Sequence, residues 1–230
     1  MNKNSEYTEL KYDKGTIIIN GNINLPNSVY DPRIDKNRAL GRSFQDIIHY
    51  LEKNNEEYID NVSDYIKFST QSKFNDTNVL RDYQKEALES WIANDKKGCI
   101  ILPTGAGKTI IALKAILELN SSTLIIVPTL NLMEQWYESI KKILSDISLI
   151  GMLGGGYEDL KTITVTTYES AYLKSSFLGN KFKFLIFDEV HHLASEKYYL
   201  IGDHFISPYR LGLTATIERE DGRHVLLNNI

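Results

Sequence analysis

The sequence predicts an α/β fold built on a parallel β-sheet, preceded by a small α+β unit. Three features point there. From Leu80 onward, short apolar runs alternate with helical patterns. One of those runs passes through a glycine-rich loop directly into a helix. A polar stretch at 69–78 separates this part from an N-terminal part of different texture. Short, apolar, β-rich strands spaced by helices imply a parallel sheet covered on both faces.

Residues 1–68 are expected to form the small α+β unit. Gly15-Thr-Ile-Ile-Ile19 and Asn22-Ile-Asn-Leu25 flank Asn20-Gly21. That dipeptide accepts the positive φ angles of a tight turn, so a hairpin is predicted there. Pro26, Asp31-Pro-Arg33 and Gly41 predict an irregular crossing. Phe44, Ile47, Ile48 and Leu51 recur at helical spacing, and Ser43 followed by Asp46 predicts a capped helix start. The polar stretch reads as a linker over 69–79. In residues 80–230, strands are expected at 98–103, 122–127, 161–165 and 182–187, with helices at 109–119, 130–144 and 168–175 and a helix-like run at 225–230.

Composition narrows the function classes. The chain has 230 residues, 26 Lys+Arg against 30 Asp+Glu and 42% hydrophobic residues, an ordinary globular balance. No apolar run approaches a membrane span, and the polar start carries no secretory signal pattern. A single cysteine, Cys99, excludes an intrachain disulfide and fits a reducing compartment, where buried packing is its expected role. Basic and acidic residues number 10 and 12 in residues 1–79, leaving 16 and 18 in residues 80–230. Neither part is a basic module, so nucleic-acid binding would need local patches and backbone amides. Arg33, Arg38 and Arg42 read first as solubilising surface charge.

The strongest chemical signal is Leu102-Pro-Thr-Gly-Ala-Gly-Lys-Thr109 between a strand and a helix. A phosphate chain needs closely approaching backbone N–H groups, hence the glycines of a loop in which Pro103, Thr104, Gly105, Ala106 and Gly107 are the candidate nucleotide-binding residues. Gly105 and Gly107 leave room around Thr104 and Ala106. Lys108 supplies positive charge and Thr109 a hydroxyl for Mg²⁺. Leu102 stands where the usual pattern has glycine, so the loop is a variant. A second signal lies in Phe182-Lys-Phe-Leu-Ile-Phe-Asp-Glu-Val-His-His192. It puts Asp188 and Glu189 at the end of an apolar strand, on the sheet edge where α/β ligands bind. Asp188 is expected to hold Mg²⁺ and Glu189 to polarise an attacking water, with Lys108 completing the catalytic set.

Asp188-Glu-Val-His191 is a DExH box, and the whole set resembles the first motor domain of superfamily 2 helicases and translocases. The resemblance implies a RecA-like P-loop NTPase domain that uses ATP and Mg²⁺. Leu80-Arg-Asp-Tyr-Gln84 looks like the Q motif; Gln84 would read adenine, with Arg81 or Tyr83 beside it. Val127-Pro-Thr-Leu-Asn-Leu-Met-Glu-Gln-Trp136 looks like motif Ia, Gly154-Gly-Gly156 like motif Ib and Thr166-Thr-Tyr-Glu-Ser170 like motif Ic. These imply DNA contacts at Thr129, Asn131, Gln135, Gly155 and Thr167. Thr214-Ala-Thr216 looks like motif III, so His191, Thr214 and Thr216 would couple the phosphate site to the strand track. The doubled histidine, and the continuation into Arg219-Glu-Asp221, resemble the xeroderma pigmentosum group B repair helicases. In that family Arg219, Glu220 and Asp221 would act in DNA opening. The hairpin, Tyr30-Asp-Pro-Arg33 and helix of the N-terminal part are similar to its damage-recognition domain.

The resemblance implies an ATP-driven motor on duplex or forked DNA. Its expected partner is a nuclease or a repair complex, and its expected place is the cytoplasm at the nucleoid, or the nucleus in a eukaryote. The absence of a eukaryotic-style extension favours an archaeal or bacterial type. No candidate second RecA-like domain occurs before Ile230, so the chain is expected to hold one half of the motor. Three other readings stay open: the motor subunit of a restriction enzyme, an RNA helicase, and a non-catalytic nucleotide- or DNA-binding module. Trp91 and Trp136 are expected to serve as packing rather than as base-stacking platforms.

Overall fold

The computed structural model of the protein describes residues 7–68 and 78–216. Most of the linker, the run at 225–230 and Arg219, Glu220 and Asp221 lie outside the described residues.

The N-terminal part holds β1 (Thr8–Asp13), β2 (Thr16–Asn20), β3 (Ser28–Asp31), β4 (Lys36–Leu40), α1 (Phe44–Lys53) and β5 (Tyr58–Asn61). Their sheet order is β3-β4-β2-β1-β5. Burial alternates along β2, with Ile17 and Ile19 inward, and the apolar face of α1 (Phe44, Ile47, Leu51) closes a core with Leu10 and Val62.

Three expectations fail here. The tight hairpin turn is Lys14-Gly15, at φ 49° and 91°, joining β1 to β2; it is not Asn20-Gly21. The free edge of β2 is taken by β4, and the Asn20 side chain is held by Glu9, so residues 22–25 leave the sheet. The predicted crossing between Pro26 and Gly41 instead contains the β3–β4 hairpin. Ser43 does not cap α1 through its side chain. It already lies in a 3₁₀ turn at φ −80° and ψ −1°, whereas a capping side chain needs extended backbone.

Arg33 and Arg38 both pair with the buried carboxylate of Asp31, and Arg42 pairs with Asp203. Arg38 is a half-buried ion-pair member, whereas Arg33 and Arg42 form ion pairs from the exposed positions expected of them.

The larger part holds α2 (Asp82–Ala93), β6 (Lys97–Ile101), α3 (Lys108–Leu119), β7 (Thr123–Val127), α4 (Leu130–Ile143), β8 (Ile150–Gly154), β9 (Tyr157–Glu158), β10 (Ile163–Thr167), α5 (Tyr168–Leu173), α6 (Ser175–Leu178), β11 (Phe184–Asp188), α7 (Tyr199–His204) and β12 (Tyr209–Thr214). The sheet order is β6-β12-β11-β7-β10-β8-β9, parallel except for β9. Side-chain alternation splits each central strand between two cores. Ile125, Val127, Phe184 and Ile186 face α2, α3 and α4 on one side. Leu124, Ile126, Leu185 and Phe187 face α5, α6 and α7 on the other. This is the sheet covered on both faces that the apolar runs predict. Cys99 sits in β6, where burial pushes its thiol up to about 11, in keeping with inert packing.

The N-terminal sheet is docked on the larger part. Ile206 is buried in the N-terminal core. The Tyr12 hydroxyl donates to the carbonyl of His204 at 3.2 Å, the Gln45 amide donates to that of Ile206 at 3.1 Å, and the Asn180 amide donates to that of Val62 at 2.9 Å.

Candidate functional site

The glycine-rich loop runs from the end of β6 to the start of α3. Gly107 is the N-cap of α3 at φ 81°, in the left-handed region; a Cβ there would lie 2.4 Å from Gln84 Nε2. A side chain at this position would therefore push Gln84 off the loop. Gln84 is buried and both ends of its amide are engaged: Nε2 donates to the Ala106 carbonyl at 2.8 Å, and Oε1 accepts from Arg81 N at 2.9 Å. The Tyr83 hydroxyl also donates to the Ala106 carbonyl at 3.0 Å, and Arg81 reaches that hydroxyl at 3.3 Å. Arg81, Tyr83 and Gln84 thus brace the loop from the start of α2.

The Lys108 ammonium is folded back onto the loop's own carbonyls, Leu102 O at 2.8 Å and Pro103 O at 3.4 Å. Thr109 stands in the first turn of α3 with no side-chain hydrogen bond among the described residues. A Cβ on Gly105 would meet nothing within 4 Å, so the loop's mouth is open beside Thr104.

Two strands away across the sheet edge, β11 ends in Asp188, only 8% exposed. Its Oδ2 accepts from the Trp136 indole N–H at 2.8 Å and its Oδ1 from Glu189 N at 3.1 Å. Burial pushes the Asp188 carboxyl above the usual carboxylate range. The Trp136 hydrogen bond opposes that shift, the neighbouring Glu189 charge adds to it, and Lys108 acts against it. Because β12 pairs with both β6 and β11, the loop that follows β6 and the end of β11 lie at one edge of the sheet. Glu189 has φ 46°, a strained conformation for a residue with a side chain, costing on the order of 1 kcal/mol or more.

Between them, β12 ends in the fully buried Thr214. Its carbonyl accepts from Leu102 N at 3.1 Å and its hydroxyl donates to Thr216 O at 2.7 Å. His191 Nδ1 approaches Thr214 Oγ1 at 3.3 Å and Glu189 Oε2 at 3.5 Å. Because the Thr214 proton is already given to Thr216, both of these are acceptors toward the ring, and Nδ1 carries its hydrogen. His191, Thr214 and Thr216 form one chain between the acidic pair and the loop.

The expected DNA residues lie along the other half of the same sheet edge, where β7, β10 and β8 end. Thr129 is exposed and caps α4, accepting from Leu132 N at 3.3 Å; Asn131 and Gln135 are exposed on α4. Gly155 packs on Leu130, where a Cβ would lie 2.3 Å from Cδ2, and Gly154 packs on Ser170. These approaches draw the three loops together. Thr167 differs from the rest: it is 8% exposed and its hydroxyl caps α5 through Ser170.

Trp136 and Tyr168 are the site residues that sequence reasoning missed. Trp136 does pack in the core, as expected, but its indole N–H also holds Asp188, and the Tyr168 hydroxyl donates to the Asp188 carbonyl at 3.0 Å. Most buried indoles and phenols find an acceptor, which was the available signal.

The donor set suits a magnesium-bound nucleotide. Thr109 offers an unengaged hydroxyl, Asp188 an oriented carboxylate, and Lys108 an ammonium that rests on the loop's own carbonyls.

Residues 77–219 match the family described as "Type III restriction enzyme, res subunit", and residues 10–62 match "Xeroderma pigmentosum group B helicase damage recognition domain". The chain is 46% identical over 217 residues to "DNA 3'-5' translocase XPB2" of Sulfurisphaera tokodaii, covering 94% of this chain and 48% of that protein. It is 33% identical over 153 residues to "DNA 3'-5' helicase XPB" of Mycobacterium tuberculosis, covering 63% of this chain and 28% of that protein. The chain thus spans half or less of the length of these relatives.

In fold it resembles the UvsW helicase of bacteriophage T4 (TM-score 0.57, 18% identity, 97% of this chain and 96% of that one). It likewise resembles the Sulfolobus solfataricus SWI2/SNF2 ATPase core in complex with dsDNA (TM-score 0.57, 20% identity, 72% and 38%). The match over 77–219 covers more than half of the chain, which is similar over residues 10–62 to the xeroderma pigmentosum group B damage recognition domain and belongs to the family of the type III restriction enzyme res subunit.

Proposed function

We propose that this chain is the nucleotide-binding half of an ATP-dependent DNA translocase or helicase of DNA repair, moving 3'-5' as its relatives' names state. The supporting observation is the convergence of the Lys108 loop and Asp188 at the carboxyl edge of the parallel sheet, with the His191–Thr214 contact between them. Residues 1–68 form a damage-recognition unit and residues 80–230 the first RecA-like domain, joined by a linker at 69–79.

Thr104 to Gly107 present backbone N–H groups to the phosphates, Pro103 shapes the loop before them, and Lys108 would exchange its loop carbonyls for phosphate oxygens. Thr109 and Asp188 would hold Mg²⁺, which would supply neutralisation of phosphate charge, and Glu189 would orient water. Gln84 and Arg81 border the adenine. Thr129, Asn131, Gln135 and Gly155 meet DNA phosphates, and Thr167 shapes that track by capping α5. Contacts of this kind carry little sequence specificity and suit an acidic protein. Arg219, Glu220 and Asp221 serve DNA opening. A second RecA-like domain supplies the arginine finger, worth roughly 10³–10⁵ in rate in related NTPases. The partners are duplex or forked DNA and a nuclease or repair complex.

The test is Mg-ATP binding and turnover by this chain, with and without duplex DNA. Binding that is lost in Lys108→Ala, with little turnover, is expected. Steady turnover that disappears in Lys108→Ala would refute the half-site reading.

A further inference from the structure

Asp188 is held at two points by side chains that come from the two halves of the expected DNA track. Trp136 follows Gln135 on α4, and Tyr168 follows Thr167 at the start of α5. Both are buried, at 2% exposure each. The indole fixes the carboxylate through Oδ2 at 2.8 Å, and the phenol fixes the backbone through the Asp188 carbonyl at 3.0 Å.

An indole N–H can only donate, so it commits one lone pair of Oδ2 and sets the plane of the carboxylate. The second oxygen is set by Glu189 N, which leaves the outward lone pairs of both oxygens in a fixed direction. The other tryptophan shows that a simpler solution exists in this fold: the Trp91 indole gives its hydrogen to a backbone carbonyl, that of Arg210, at 2.9 Å. Trp136 gives its hydrogen to the carboxylate at the phosphate site, 52 residues away in sequence.

We propose that Trp136 and Tyr168 are positioning residues that hold Asp188 in its metal-binding orientation and tie it to the two segments lining the DNA track. Gln135 is exposed and Trp136, the next residue of α4 and about 100° around the helix, is buried, so a load on Gln135 reaches Asp188 through a single residue of helical backbone. Thr167 and Tyr168 make the equivalent link through the cap of α5. The proposal rests on the magnesium–nucleotide reading above.

The chain has two tryptophans, so ¹⁵N-labelled indoles give two resonances, with Trp91 as internal reference. Asp188→Asn should move the Trp136 resonance and leave that of Trp91 in place, and Mg-ADP should move the Trp136 resonance of the unsubstituted chain. Trp136→Phe should lower the ratio of ADP affinity in Mg²⁺ to that in EDTA about tenfold, as expected for losing one charge-assisted hydrogen bond. Tyr168→Phe should lower it less, about threefold, since a neutral bond is lost. A Trp136 resonance indifferent to Asp188→Asn overturns the proposal even if Trp136→Phe fails to fold. So does an unchanged affinity ratio in a folded Trp136→Phe. If the resonance follows Asp188→Asn but the chain binds no Mg-ADP, the nucleotide reading itself falls, and the proposal with it.

Discussion

Replacing Gln84 by alanine separates two roles that its position allows. The amide joins α2 to the phosphate loop through two hydrogen bonds, at 2.9 Å from Arg81 N and 2.8 Å to Ala106 O, and the side chain is 3% exposed. The Tyr83 hydroxyl still covers the Ala106 carbonyl in the variant, so one group, Arg81 N at the helix start, loses its partner. Two partly buried bonds at a net ~1 kcal/mol each, plus part of the cost of one orphaned donor, come to about 2–3 kcal/mol. For a chain of this size 1 kcal/mol moves the melting temperature by roughly 2–4 °C, so Gln84→Ala should melt about 4–12 °C lower without nucleotide. Scanning calorimetry of the nucleotide-free chain measures this directly. A fall of less than about 2 °C, together with lost nucleotide binding, would refute the bracing role and leave Gln84 as an adenine reader alone.

Two further outcomes follow from the docked N-terminal sheet. His204 packs against Gly15, and its Nδ1 lies 2.8 Å from Ser175 Oγ; burial lowers its pKa from the usual 6.5, with Asp203 opposing. The unfolded chain therefore binds the proton first. The contribution of His204 is complete above pH ~6.5, declines as pH falls through that value, and levels off below the folded pKa. Urea midpoints between pH 5 and 8 should show this slope, and His204→Gln should flatten it. Ile206→Ala removes a buried side chain from the N-terminal core and should cost about 2–5 kcal/mol there. Hydrogen exchange should accelerate in β1 and α1 before it does in β7 or β11; a uniform response across both sheets would contradict the assignment of Ile206 to that core.

The parts of the site that were legible in the sequence are those made by consecutive residues. The loop from Leu102 to Thr109 and the Asp188–His191 box carry their chemistry in one short run, and the apolar runs of β7, β10 and β11 declare buried parallel strands. The links between runs were not legible. Trp136 meets Asp188, and His191 meets Thr214 only because β12 is inserted beside β11.

The N-terminal sheet was the hardest to read, for a physical reason. Ser28-Val-Tyr-Asp31 and Lys36-Asn-Arg-Ala-Leu40 form an edge hairpin whose residues are mostly exposed or half-buried, so no apolar alternation marks them. Lys14-Gly15 and Asn20-Gly21 were both able to turn the chain. Competition for the free edge of β2, a tertiary matter, decided between them.

The docking contacts at Asn180 and Ile206 lie just before β11 and β12, and Asp188 and Thr214 lie at the far ends of those strands. Each strand therefore behaves as a strut of fixed length, about 17–20 Å, anchored at both ends. Substitutions along such a strut can be absorbed by repacking. A single inserted residue cannot: it would turn every following side chain to the opposite face and carry Asp188 or Thr214 about 3.3 Å past its partners. Tolerance to insertion and deletion should consequently be lowest between 180 and 188 and between 206 and 214, although neither segment's starting end touches the phosphate loop.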